Sequence, residues 1–480
     1  MSAPTTDRPV SAAQRGIWLT ERLRDTGTAF HMPLGITFSG PLDRQALLDA
    51  CARLVDRHPI LAAAFTERDG EPRLVPAAVR PPITVGDAVP ELNLETGPLA
   101  AFTLVPLGPE LHRLSFVAHH LVFDGLSKDI LIRDLAALYA GEELPPLGDP
   151  EPDIDRIEAA LPEARNLWAS RWHDVPEVIL NDRRLSTVDA EPGDAVELHL
   201  DLPELPGLTR FEVLLAAVHA LLHRYGNTPA AVSVDASTRR PEESDHIGLF
   251  VNELPVFASA DPRTSFAEFA AAIRAEFRTL TSVREVPVAR AAGRVSPRAA
   301  LTPVSISYRR RAAEPAFPGL KAKVDWMMSA GAVRGVLHVQ AVDGPDGLEV
   351  VLRHNSRVLD RAVAERIGEH LRAVLDADPN LPLAGPTATP VADQITTATP
   401  APSEVDDELV GQVKAIWTEV LQIPDIGPDE DLYDLGGHSL TITQITARIR
   451  KRLGVEVPFD VFLEDPTVLG VAAAVRDLRP

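Results

Sequence analysis

The stretch Ala118-His119-His120-Leu121-Val122-Phe123-Asp124-Gly125 decides how the chain is read. Just before it, Leu114, Phe116, Ala118 and His120 share one parity, which predicts a β-strand with a buried face. If the strand continues, His119 and His120 point to opposite faces. One of them then lines a cavity, and the other is packed and hydrogen-bonded. Just after it, Ser127 is the expected N-cap of a helix marked by Ile130, Leu131, Leu135 and Leu138. The unit is strand, histidine loop, helix. A neutral imidazole, with its pKa near ~6.5, takes or gives a proton at working pH. Asp124 is either a catalytic partner or a buried anion in need of a cation. Gly125 permits a tight turn and brings an N–H close to a bound group.

The bulk composition bounds the rest. A length of 480 residues predicts two to four folded units. A net charge of -22 argues against a general binder of nucleic acid or anionic membrane. No long apolar run predicts a membrane span, the N-terminus lacks a signal-peptide core, and the expected compartment is the cytoplasm. Cys51 is the single cysteine and sits at helical spacing with Leu47, Leu48, Leu54 and Val55, so it reads as core. No further ligands cluster at zinc spacing, and no metal is expected.

The last 75 or so residues are a separate helical unit. Leu409, Val413, Ile416, Trp417, Val420 and Leu421 form one amphipathic helix, and Ile445, Ile449 and Leu453 mark another. Between them lies Leu435-Gly436-Gly437-His438-Ser439-Leu440. The plainest reading of Ser439 is a helix N-cap. The glycines also expose its hydroxyl at a helix start, where an incoming phosphate is favoured. Before this unit, Gly385 to Ser403 is rich in Pro and Thr with few large apolar residues, the composition of an extended linker.

His119-His120-x-x-x-Asp124-Gly125 resembles the active-site motif of condensation domains of non-ribosomal peptide synthetases, relatives of chloramphenicol acetyltransferase. Ser11-Ala12-Ala13-Gln14, with Trp18, resembles their first motif. Arg57-His58-Pro59-Ile60-Leu61-Ala62-Ala63-Ala64-Phe65 resembles the second, with Pro59 and Ala62 replacing a Glu and an Arg. Ile247-Gly248-Leu249-Phe250-Val251-Asn252 resembles the fifth, and Arg284-Glu285-Val286-Pro287-Val288 is a weaker match to the sixth. Leu-Gly-Gly-His-Ser-Leu resembles the attachment motif of peptidyl carrier domains, which implies 4'-phosphopantetheine covalently on Ser439.

The resemblance implies an α/β fold: two chloramphenicol-acetyltransferase-like lobes forming a V with a central tunnel, followed by an all-α four-helix carrier bundle. The implied divisions are an N-lobe at 1–160, a C-lobe at 161–384, a linker at 385–403 and a carrier at 404–480. The implied reaction joins a carrier-bound acyl thioester to an acceptor amine. His120 is the implied base or positioning group, and the Gly125 N–H a candidate oxyanion donor. His119 and Asp124 would be more architectural, with Arg57 as the structural partner of Asp124. Asn252 is a polar candidate beside the tunnel. The implied partners are an upstream donor carrier, a phosphopantetheinyl transferase and a stand-alone adenylating enzyme that loads the carrier in trans, since nothing in the chain resembles a nucleotide-binding loop. The rival readings are an epimerisation domain, an ester-forming or coenzyme-A-using acyltransferase, and a non-catalytic platform that recruits enzymes to the carrier.

Overall fold

The computed structural model describes residues 7–478 apart from 69–70, 87–90, 149, 151–152, 176, 187, 293–296, 384–406, 422, 424–425, 429, 431, 433–434, 436–438 and 459–460. The expected linker and the Gly436-Gly437-His438 part of the carrier motif lie outside the described residues.

The first half is built on a five-stranded sheet. Its order is Lys321–Asp325, His31–Ser39, Leu111–His119, Ala100–Gly108 and Ile83–Val85. The histidine strand Leu111–His119 lies in the middle, antiparallel to both neighbours, with His119 opposite His31. Its alternation works as the sequence predicts: Leu114, Phe116 and Ala118 are buried. They pack with Phe102 and Phe123, the Phe116 ring standing 4.8 Å from Phe102 and 5.1 Å from Phe123. Helices Arg44–Arg57 and Gly125–Tyr139 belong to the same core through Leu47, Leu54, Leu131 and Leu135. Cys51 is fully buried there, and burial pushes its thiol far above the usual range. The edge strand Lys321–Asp325 comes from the second half of the chain and pairs antiparallel with His31–Ser39. Nothing in the sequence pattern predicts that exchange.

The second half is built on a seven-stranded mixed sheet. Its order is Val251–Ala258, Ala230–Ser237, Val304–Arg310, Leu337–Gly344, Gly347–Asn355, Ala190–Leu198 and Ala332–Arg334. Helix Arg210–Arg224 has a capping box of Thr209 and Glu212 and is buried from Glu212 to His223. Helices Phe266–Thr281 and Arg361–Leu375 pack beside it. Trp168 and Trp172 stand at helical spacing in the sequence, but helix Ile154–Trp168 stops before Trp172. Trp168 is core, whereas Trp172 lies beyond the helix, under Arg298 and edge-on to Phe257.

The C-terminal unit has its own core. Among the described residues it contains helices Asp407–Leu421, Ser439–Leu453, Val461–Glu464 and Val468–Asp477. Val413, Ile416, Trp417, Ile442, Ile445, Ile449, Phe462 and Val471 form its interior. Thr467 caps the last helix by accepting from the Gly470 N–H. No described helix is long and apolar enough to cross a membrane.

Candidate active site

The strand ends at His119, and His120-Leu121-Val122 forms a single 3-10 turn before helix Gly125–Tyr139. The two histidines diverge. The His119 Nδ1 accepts from the Leu121 N–H at 3.2 Å, and its Nε2 lies 3.6 Å from Glu21 Oε1. That ring is buried and spent on structure. His120 has its Nδ1 2.8 Å from the Phe123 carbonyl oxygen. A carbonyl only accepts, so Nδ1 carries the proton and Nε2 presents a lone pair. Among the described residues Nε2 has no hydrogen-bond partner, and the ring lines a cavity of about 380 Å³. Burial, reinforced by the Arg334 charge, pushes the His120 pKa down to about 4, so the ring is neutral at pH 7.

The helix is capped by Asp124, not by Ser127. The Asp124 Oδ1 accepts from the Ser127 N–H at 2.7 Å and from the Ser127 hydroxyl at 2.8 Å. A carboxylate placed one turn earlier outcompetes the serine for the free amides, and Ser127 becomes part of its shell.

The expected pairing of Arg57 with Asp124 does not occur. Asp124 is buried against Arg239, whose Nη2 donates to Oδ1 at 3.1 Å and to Oδ2 at 3.0 Å. The Phe250 N–H donates to Oδ2 at 3.0 Å, and Ser127 Oγ accepts from the Gly248 N–H at 3.1 Å. Arg239 stacks over the Phe250 ring at 4.3 Å, so Phe250 is a half-buried platform and not the core residue its apolar character suggests. Arg57 ends its own helix and reaches a different acid: its Nε donates to Asp134 Oδ2 at 2.8 Å, and His58 Nε2 meets the same oxygen at 2.8 Å. The carboxylate within reach of Arg57 lies ten residues beyond Asp124, on the far part of the same helix.

Gly125 is the first helical residue and lines the cavity with His120. A Cβ there would meet only Arg309 Cδ, at 3.8 Å, so the protein itself does not demand glycine at this position. The missing side chain instead leaves the first turn of the helix open to the cavity. Asn252 does not join His120. Strand alternation turns Val251 into the His120 cavity and Asn252 onto the other face, where a separate cavity of about 520 Å³ lies. The Asn252 Nδ2 donates to the carbonyls of Arg284 at 2.8 Å and Glu285 at 3.1 Å, binding the fifth-motif stretch to the sixth.

Two contributors were missed by sequence reasoning. Gln14 completes a capping box with Ser11, and its Nε2 donates to the Leu121 carbonyl at 2.9 Å, steadying the histidine turn. Its place in the first motif was the available signal. Arg239 had none, being 115 residues from Asp124.

Ser439 is the first residue of a fifteen-residue helix in the C-terminal unit, and a helix start favours a phosphate group. No group of described residues is arranged to hold a metal ion.

The family model for the condensation domain matches residues 5–81 and 86–385, and that for the phosphopantetheine attachment site matches 411–475. Surfactin synthase subunit 1 of Bacillus subtilis (strain 168) is 25% identical over 414 residues, covering 78% of this chain and 12% of that protein. Tyrocidine synthase 3 of Brevibacillus parabrevis is 26% identical over 423 residues, covering 79% of this chain and 6% of its own length. The chain thus spans a small part of these relatives. Among solved structures, the first condensation domain of the calcium-dependent antibiotic synthetase, in complex with a substrate analogue, superposes with a TM-score of 0.64 at 21% identity, covering 79% of this chain and 98% of that one. The X-domain in its complex with OxyB from teicoplanin biosynthesis gives 0.66 at 21% identity, covering 80% and 96%. These last two likenesses speak for the fold. With its family model matched along more than half its length, the chain belongs to the condensation-domain family, and a phosphopantetheine attachment domain follows within it.

Proposed function

We propose that the chain forms an amide bond between a carrier-bound acyl thioester and an acceptor amine, and that the acceptor is tethered to its own Ser439. The observation that carries this reading is the state of His120: neutral, pinned through Nδ1, and presenting a Nε2 lone pair to a cavity. When attached, the phosphopantetheine arm holds its cargo as a thioester. The amine nitrogen attacks the thioester carbonyl, a C–N bond forms, the C–S bond breaks, and the nitrogen's proton ends on the departing thiolate.

The pKa of His120 narrows its part. An α-ammonium titrates near ~8, and a base near pKa 4 takes its proton only at a cost of about 5 kcal/mol. His120 therefore accepts a hydrogen bond from the already neutral amine and orients it. It takes the proton only once attack has made that nitrogen acidic. The Gly125 N–H is our candidate donor to the developing oxyanion, a role supported by its position at a helix start that lines the cavity. His119 and Asp124 hold the frame.

The same reading keeps the divisions at 1–160, 161–384, 385–403 and 404–480. A phosphopantetheinyl transferase primes Ser439. In this reading an adenylating enzyme loads the arm in trans and another carrier brings the donor, as suits two matched regions that adjoin with no adenylating domain between them. The test is reconstitution: pantetheinylated protein, an adenylating partner with its amino acid, and an acyl-loaded donor carrier, with the product read by mass. Joined product should appear on Ser439 and fall by roughly 100-fold or more in a folded His120→Ala variant. Full turnover by that variant, aminoacylation of Ser439 without the partner, or loading that survives Ser439→Ala would each overturn its part of the reading. An ester product would favour the hydroxyl-acceptor alternative.

A further inference from the structure

The cavity that holds His120 has the opposite charge character to the chain around it. The chain carries a net -22. The cavity is lined by Lys128, Arg309, Arg310, Arg334 and Arg353 against only Asp124 and Asp235.

Most of these charges are accounted for. Asp124 is spent on Arg239. Arg309 pairs with Asp129 and lies over the Trp326 ring at 4.7 Å. Arg334 stands 3.9 Å from Asp235 and 4.0 Å from Glu253. His338, also in the lining, sits between the Ser305 and Ser307 hydroxyls at 2.8 Å each, and burial keeps its ring uncharged.

Two cations remain. The Lys128 side chain is buried, and its Nζ donates one hydrogen bond, to the Pro33 carbonyl at 3.0 Å. Two of its three donors are unspent. Arg353 donates Nε to Gln340 Oε1 at 2.8 Å and Nη2 to the carbonyls of Met327 at 2.6 Å and Met328 at 3.3 Å. Its Nη1 has no acceptor among the described residues. Neither side chain has a carboxylate within 4.0 Å among those residues. The neutral partners fix both side chains in place without neutralising them. Burial, with Arg309 and Arg353 nearby, lowers the Lys128 pKa to about 7 against the opposing pull of Asp325 and Asp129, so the ammonium is only partly protonated at neutral pH. Charge held this deep with no carboxylate in contact is costly, and an anion arriving with the ligand would restore the Lys128 proton and pair with both side chains.

We infer that Lys128 and Arg353 form a recognition site for a carboxylate on the substrate, separate from the group that reacts at His120. This rests on the proposed function for the identity of the reacting group. The class of substrate is then an acyl or aminoacyl thioester bearing a second, free carboxylate, such as a dicarboxylic acid residue. Phosphate is the other anion of suitable chemistry. It lies at the opposite end of the pantetheine chain from the thioester, and a cavity of about 380 Å³ does not enclose both ends together with the cargo.

The test is binding, which does not require turnover. The probes are the N-acetylcysteamine thioester of glutaric acid and its neutral counterpart, the thioester of glutaric acid monoamide, titrated calorimetrically against the full chain. The carboxylate probe should bind roughly tenfold or more tightly, and that preference should vanish in Lys128→Met and in Arg353→Met. Lys128→Met removes a buried charge instead of stranding one, so it keeps the test valid if Arg353→Met loosens the Met327 and Met328 carbonyls. Equal binding of the two probes, or a preference that survives in both variants, overturns the inference. Pantetheine 4'-phosphate and pantetheine are titrated in parallel. A preference for the phosphate that these variants abolish, with none for the carboxylate, also overturns it and gives the cations to the arm. Carboxylate preference without product in the reconstituted reaction supports the anion site while refuting the reaction.

Discussion

Asp124 shows how much one carboxylate can organise. Its two oxygens receive the Ser127 amide and hydroxyl, the Phe250 amide and Arg239. They join the histidine turn of the first half to a loop of the second. The charge is buried, so removing it leaves Arg239 without its counterion. Asp124→Asn should cost about 3–5 kcal/mol of unfolding free energy. A double-mutant cycle of Asp124→Asn with Arg239→Met should show a coupling of about 1–3 kcal/mol, whereas the cycle with Arg57→Met should be additive to about 0.5 kcal/mol. Urea denaturation of the four proteins in each cycle measures both. Coupling of Asp124 to Arg57 and not to Arg239 would contradict the observed geometry. At this scale the sequence was informative about kind and silent about partner. The divergence of the two histidines was expected, but its cause is the strand ending at His119 and a 3-10 turn opening at His120. The Asp was recognisable as an anion needing a cation. The cation that answers it is 115 residues away, on a loop whose approach no local pattern encodes.

Among the elements, the buried helix Arg210–Arg224 has a feature that its amphipathic pattern hides. His219 lies wholly inside it, and neither ring nitrogen has a hydrogen-bond partner among the described residues. Burial alone pushes its pKa down to about 3. Between pH 6.5 and about 3 the unfolded chain therefore binds a proton here that the folded chain does not. Stability from this residue is complete above pH 6.5 and is lost progressively as the pH falls through that window. His219→Leu should flatten the acid side of the stability profile and add on the order of 1–3 kcal/mol near pH 5. Melting temperatures of both proteins at pH 7.5 and pH 5 give the answer, and parallel losses would refute it. His120 and His338, also pushed down by burial, leave a residual slope of the same sign. The helices were the most legible elements, because caps and periodicity are local. The capping boxes at Ser11 and Thr209 mark true starts. The failures have local causes too. Ser127 resembles a cap until the stronger acceptor three residues earlier is considered, and Trp172 keeps helical spacing after the helix has ended.

At the scale of the molecule, composition and motif order were enough to anticipate an α/β body followed by a helical unit. They could not anticipate that the body's first sheet is closed from a distance. Strand Lys321–Asp325 pairs with His31–Ser39 through five residue positions, from Lys321 opposite Ser39 to Asp325 opposite Gly35. Without it, the backbone edge of a strand carrying Leu34, Ile36 and Phe38 would stand open. The two halves of the body are therefore not independent folding modules. If the chain is cut in the exposed connector after Gly148, the pieces 1–148 and 149–480 should copurify when expressed together, and the first alone should self-associate. Lys323→Pro should weaken the recovery of the pair: the Val324 N–H is spent outward on Glu314, so by strand alternation the Lys323 N–H is the one that faces His31–Ser39. Soluble pieces that ignore one another would count against the interlock. The same feature bears on recombination. A chimera joined between the halves inherits a first sheet finished by a stranger's strand, so viable crossovers should fall outside the span from His31 to Asp325, and the whole body should be exchanged as one inheritable block.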